Sequence, residues 1–237
     1  MTVEVLFPEV CNLFGDVANM RYLRRCLPQA EFVETPLREE PYFVSHPVDF
    51  LYLGPMTERT QEKVIEKFRP HRARLEELIE SGTVCLFTGN AMEVLGSFIE
   101  NEDGSRIDGL GLLPLHARRN MMHRHNSTFL GEYAGREFVA FKSQFTMASP
   151  EEGAQGLFPV KKGVGLEKGC AFEGLKRNRF YGTYLLGPVL LMIPDFTRTL
   201  LADLGLPDAP LAFQEELEQS LAARVKDYHA NEHDIWG

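Results

Sequence analysis

Val84, Cys85, Leu86 and Phe87 run into Thr88-Gly89-Asn90, and Met92, Val94 and Leu95 follow before Gly96. An apolar, β-forming run that meets a small polar residue and a glycine, then apolar residues at helical spacing, predicts a strand, a sharp turn and a short helix. In α/β enzymes this geometry lifts the residue at the turn out of the sheet and aims the next backbone N–H at a developing oxyanion. The residue expected at the turn, with its side chain exposed, is Thr88. Such a position serves nucleophilic attack on a carbonyl, but a threonine hydroxyl needs a general base to act. His123, His125 and Glu173 are groups that a loop could swing to it. Cys85 lies three residues earlier, inside the strand, where a small buried hydrophobe is expected.

Other groupings carry weaker chemistry. His229-Ala230-Asn231-Glu232-His233 spells a zinc-peptidase pattern, with a solvated helix end as the alternative. His116, Arg118, Arg119, His123, Arg124 and His125 form a basic cluster that suits a solvated loop or an anion or partner contact. Asn12, Asp16 and Asn19 could pass for a polar site, but a helix cap at Asp16 and loop-bonding asparagines explain them as well. Gly109 and Gly111 lack the strand and helix that a dinucleotide fingerprint requires, so a turn is expected there.

The elements that must position these residues alternate up to Gly96. Strands are expected over 3–7, 31–35, 48–53 and 84–87, with helices after the first and the third and a proline-flanked loop over 36–47. One helix, capped by Asp16, places Val17, Met20, Leu23 and Leu27 on one face; residues 57–81 form a longer helical stretch broken near Pro70. That alternation is the mark of a parallel sheet covered on both faces. Beyond Gly96 the pattern changes to hairpins over 97–107 and 129–141, then a strand over 180–185. A helix over 195–204 capped by Asp195 and a last helix over 211–228, burying Phe213, Leu217, Leu221, Val225 and Tyr228, complete the reading.

The chain has 237 residues, 44% of them hydrophobic, enough for one large α/β domain over 1–237. A net charge of -9 argues against nucleic-acid and anionic-membrane surfaces. The four cysteines are widely spaced with no C-x-x-C pair, which predicts reduced thiols, no zinc site and a cytoplasmic setting. No basic leader with an apolar core is visible at the N-terminus, and the most apolar segment, 184–194, is too short and interrupted to span a bilayer.

Four segments in order, residues 6–19, 49–61, 84–96 and 182–188, together resemble the cobyric-acid-synthase-like class I glutamine amidotransferases, and most nearly the glutaminase subunits of the pair that amidates the lipid II stem peptide. The resemblance implies a flavodoxin-like fold, glutamine hydrolysis by a cysteine at the turn and a histidine late in the chain, and ammonia passed to a synthetase partner. Where that family reads Cys-Gly-Gly, this chain reads Thr88-Gly89-Asn90; where it carries the histidine, this chain carries Leu186. The family's glycine run has become Gly54-Pro55-Met56, and proline has no N–H for an oxyanion. Residues 140–144, Ala-Phe-Lys-Ser-Gln, stand where it reads Gly-Phe-Glu-Asn-His.

The expectation is therefore a flavodoxin-like class I amidotransferase domain, mainly parallel with hairpin insertions, without the family's catalytic pair and without metal or cofactor. Gly54, Thr88, Gly89, Asn90 and Gln144 are its candidate pocket residues, and a small molecule or a ligase-like subunit its partner. The alternative is an active amidotransferase subunit with rearranged groups, supplying ammonia to a ligase-like or cobyric-acid-synthase-like partner. A pure assembly protein, its pocket filled by Met56, Phe87 and Leu186, is a third possibility.

Overall fold

The structure is a computed structural model and describes residues 1–231. Its first half alternates as expected: β1 (Thr2–Leu6), α1 (Ala18–Cys26), β2 (Glu31–Thr35), β3 (Phe50–Leu53), α2 (Glu58–Phe68), α3 (Arg72–Ser81) and β4 (Val84–Thr88). Pro70 lies in a 3-10 turn, Arg69–His71, that separates α2 from α3, because proline cannot donate into a continuous helix. Thr57 caps α2 by accepting the Thr60 N–H at 3.3 Å. Gly82, with φ +83°, ends α3 in the left-handed conformation that costs glycine nothing.

Every residue of β3 and β4 is buried, as strands covered on both faces must be. β1, β2, β3 and β4 pair in parallel, and β13 (Phe180–Thr183) joins β4 in parallel at the other side. From β13 the sheet continues through antiparallel strands β12 (Phe172–Arg177), β11 (Gln155–Lys162), β8 (His125–Tyr133) and β9 (Arg136–Gln144). The full order is β2-β1-β3-β4-β13-β12-β11-β8-β9. The hairpin expected over 129–141 is thus the antiparallel edge of the main sheet, and Ala134 and Gly135 close it with positive φ. The hairpin over 97–107 is β5 (Phe98–Glu100) with β6 (Arg106–Asp108), and with β7 (Leu115–Arg119) and β10 (Thr146–Pro150) it makes a second, four-stranded sheet.

Two apolar layers enclose the main sheet. Val64, Ile65 and Phe68 of α2 with Leu75, Leu78 and Ile79 of α3 pack on one face. Met20 and Leu23 of α1, together with α4 (Val189–Met192), α5 (Pro194–Asp203) and α6 (Gln214–Ala230), cover the other. Three local expectations are corrected. Asp16 does not cap α1: Val17 holds that position, and the Asn12 carboxamide accepts the Val17 N–H at 2.9 Å. Asp195 sits in the first turn of α5 after Pro194, with Ile193 at the cap. Phe213 precedes α6 with φ +57° and is 57% exposed, because the turn into the helix points its ring to solvent.

Candidate functional site

The turn after β4 differs from its expected form. Thr88 is the last strand residue, paired in register with Thr183, with ordinary extended angles of φ -111° and ψ 153°. Its side chain is fully buried, where the sequence had suggested exposure. The residue at the tip, with φ +59°, is Gly89, and the segment Gly89–Leu95 is a 3-10 helix. The tip of the turn therefore carries no side chain.

Nor is there room for one. A Cβ at position 89 would lie 2.5 Å from the Pro55 Cβ and 3.3 Å from its Cα, far inside contact distance. Pro55 contributes no N–H, and the next amide, Met56 N–H, donates at 3.0 Å to the Asn90 side-chain oxygen. The Asn90 Nδ2 returns a bond to the Met56 carbonyl at 2.8 Å. This two-bond clasp occupies the Met56 N–H, which is then not free for an oxyanion. Leu186 is buried and donates its backbone N–H to the Phe141 carbonyl at 2.9 Å. Its side chain cannot take a proton.

Thr88 instead faces inward. Its hydroxyl donates to Asp16 Oδ2, and the Tyr52 hydroxyl donates to the same oxygen at 2.6 Å. Asp16 Oδ1 is buried without a partner, and burial raises this carboxyl above its ordinary range. Asp16 is thus the acceptor beside Thr88, whereas His125 bonds Ser127 at 2.8 Å and Glu173 bonds Thr183 and Tyr184. Cys85 is buried as expected, and burial pushes its thiol up to about 12, which keeps it protonated.

Above Gly89 lies a cleft of about 190 Å³ at the carboxyl ends of β3, β4 and β13. Gly89, Asn90 and Gln144 line it, with Pro55, Met56, Tyr184 and Leu186; Gly54 and Thr88 are outside the lining. Gly54 packs against the Cys11 carbonyl, which a Cβ there would meet at 2.3 Å. Gln144 donates Nε2 to the Thr146 carbonyl at 2.7 Å, while its buried Oε1 has no partner. The Arg124 guanidinium lies 4.4 Å above the Phe145 ring at the cleft edge. Phe14, 58% exposed with φ +61°, stands at the rim.

The rest of the basic cluster disperses. Arg118 pairs with Glu100, His116 with Glu151, and buried Arg119 with Glu62. His229 bonds Glu137 at 2.9 Å; Glu232 and His233 lie outside the described residues. Among the described residues no cluster of His, Cys, Asp and Glu could hold a metal, and no helix is long and apolar enough to cross a membrane.

The sequence reading missed the buried network behind the cleft wall. Glu93, fully buried, accepts the Tyr184 hydroxyl and the Gln61 Nε2, each at 2.7 Å. Gln61 Nε2 also donates to the Asn90 carbonyl at 2.7 Å, and its Oε1 accepts from Arg119 at 2.8 Å. Burial pushes the Glu93 carboxyl up to about 7. The signal was a lone acid inside the apolar run Met92-Glu93-Val94-Leu95. A second buried group, Lys142 with Glu173 at 4.0 Å, lies under Tyr184; burial holds the lysine below and the acid above their ordinary ranges.

The parallel sheet, the turn after β4 and the cleft at the strand ends belong to a class I glutamine amidotransferase-like fold. No family model matches the chain. Among curated proteins it is 22% identical, over 92% of this chain and 91% of the other, to the lipid II isoglutaminyl synthase (glutamine-hydrolyzing) subunit GatD of Staphylococcus aureus. It is 20% identical over 96% of its length to the same subunit of Streptococcus pneumoniae, covering 91% of that protein. A glutamine amidotransferase from Thermotoga maritima superposes with a TM-score of 0.54 at 12% identity, covering 94% of this chain and 97% of the other. The glutaminase domain of a Trypanosoma brucei CTPS, solved with bound acivicin, gives 0.54 at 9% identity over 90% of this chain and 96% of that one. These likenesses fix the fold; the chemistry rests on the site.

Proposed function

We propose that this chain, a single domain over 1–237, is a glutamine amidotransferase-like subunit that no longer hydrolyses glutamine and uses its residual cleft to hold a small polar ligand. The observation that carries the reading is the Gly89 turn, which has neither a nucleophile nor space for one beneath Pro55. The Asn90 clasp on Met56 and the apolar Leu186 point the same way. Losing one oxyanion donor costs roughly 10²- to 10³-fold in rate, and losing nucleophile and base costs more. What the cleft retains suits recognition: an unpartnered acceptor on Gln144 calls for a donor, and Arg124 offers a cation to a ligand's anionic group. Because both curated relatives are subunits of a synthase, the partner proposed is a ligase-like protein, in a cell-wall setting.

One observation favours the competing reading, a hydrolase with rearranged groups: the Thr88 hydroxyl is bonded to a carboxylate. Both groups are buried and outside the cleft lining, so a substrate carbonyl has no approach to them. Ammonia release from L-glutamine, with and without a candidate ligase-like partner, separates the two. The proposed function predicts no release above the uncatalysed rate; turnover that Thr88→Ala abolishes would establish the competing one.

A further inference from the structure

Glu93 is a buried titratable group that no step in the proposed function uses, yet it is wired to two residues of the cleft wall. Its Oε1 meets the Tyr184 hydroxyl and its Oε2 meets the Gln61 Nε2, which also holds the Asn90 carbonyl. Tyr184 and Asn90 both line the cleft. The charged and titratable groups that reach Glu93 come from three directions. α2 supplies Glu58; β7 supplies Arg119, itself paired with Glu62 of α2; and Tyr184 follows β13, backed by Glu173 and Lys142.

The two carboxylate oxygens are not equivalent. An amide N–H2 can only donate, so Oε2 facing Gln61 has no acceptor for a proton of its own. A hydroxyl both donates and accepts, so Oε1 facing Tyr184 does. A proton taken from solvent therefore settles on Oε1 and is donated to the Tyr184 oxygen. The Tyr184 hydrogen, until then given to Glu93, loses that acceptor and is released toward the cleft that Tyr184 lines, where a ligand or water oxygen accepts it. We propose that Glu93 is a proton-operated element behind the cleft wall, which reverses the Tyr184 hydrogen bond and so changes the donor and acceptor pattern that Tyr184 presents. This rests on reading the cleft as a ligand site and adds how that site is regulated. Its acidity, near 7, places the change within the physiological range.

The test uses the ligand-free protein, so its failure leaves the reading of the cleft itself intact. The Glu93 carboxyl carbon, the Tyr184 ring carbon bearing the hydroxyl and the Asn90 amide are followed by NMR from about pH 5.5 to about 8.5. The expected result is one shared midpoint near 7 in all three signals, lost from Tyr184 and Asn90 in Glu93→Gln. In Tyr184→Phe the Glu93 and Asn90 signals still titrate together, at a higher midpoint, because the ionised form has lost a donor. Should Glu93→Gln fail to fold, the wild type and Tyr184→Phe decide alone. A Glu93 carbon that does not titrate in this range, or that titrates while Tyr184 and Asn90 stay still, overturns the proposal.

Discussion

Gly89 carries both the conformational and the steric part of the argument. With φ +59° and Pro55 in the place of its missing side chain, Gly89→Ala suffers left-handed strain and overpacking together. A loss of about 2–4 kcal/mol is expected, read as a lower thermal or denaturant midpoint. Pairing it with Pro55→Gly removes the contact and leaves the strain, so the double variant recovers part of that loss. Thr88→Val keeps the shape but withdraws one of the two hydroxyls on Asp16 Oδ2. A cost of about 1–3 kcal/mol is expected by chemical denaturation. The sequence marks this turn but not its tip. Which of Thr88 and Gly89 stands there depends on where β4 ends, and that is set by Thr88 pairing with Thr183, ninety-five positions away in the chain and invisible to local pattern. Asp16 misled for a related reason: an acid just before an apolar periodic run looks like a cap, and only the fold shows Tyr52 and Thr88 competing for it.

At the scale of elements, strands β1 to β4 and helices α1 to α3 were legible because their periodicity comes from burial on defined faces. The antiparallel half was less so. Short runs with alternating burial, such as β8 and β9, announce hairpins but not which sheet they extend, since both sheets offer edges. The Thr57 cap gives a local check on α2, whose N-terminus stands at the cleft: Thr57→Ala should cost about 1 kcal/mol by denaturant titration. The same substitution leaves Gly89, Pro55 and the Asn90 clasp untouched.

At the scale of the whole molecule, the buried acids Glu4, Asp16, Glu93 and Glu173 share one sign. Burial raises each above its ordinary value, so the folded state holds protons that the unfolded chain has already released. For Glu93 the window runs from the ordinary 4.5 to about 7: its penalty is absent below the window, grows as pH rises through it and is complete above. The thermal midpoint should therefore fall between about pH 5 and 7, and Glu93→Gln should flatten that slope. Each of these groups is buried at a cost to the folded state that grows as pH rises, inside a fold shared with the glutamine amidotransferases.

The most direct measurement is the rate of ammonia release from L-glutamine by the wild type and by Thr88→Ala, with and without the ligase-like partner. The account predicts that all four rates equal the uncatalysed background. Release by the wild type that disappears in Thr88→Ala would contradict it, since the only hydroxyl at this turn would then be reaching a substrate that Pro55 and the buried strand end are said to exclude.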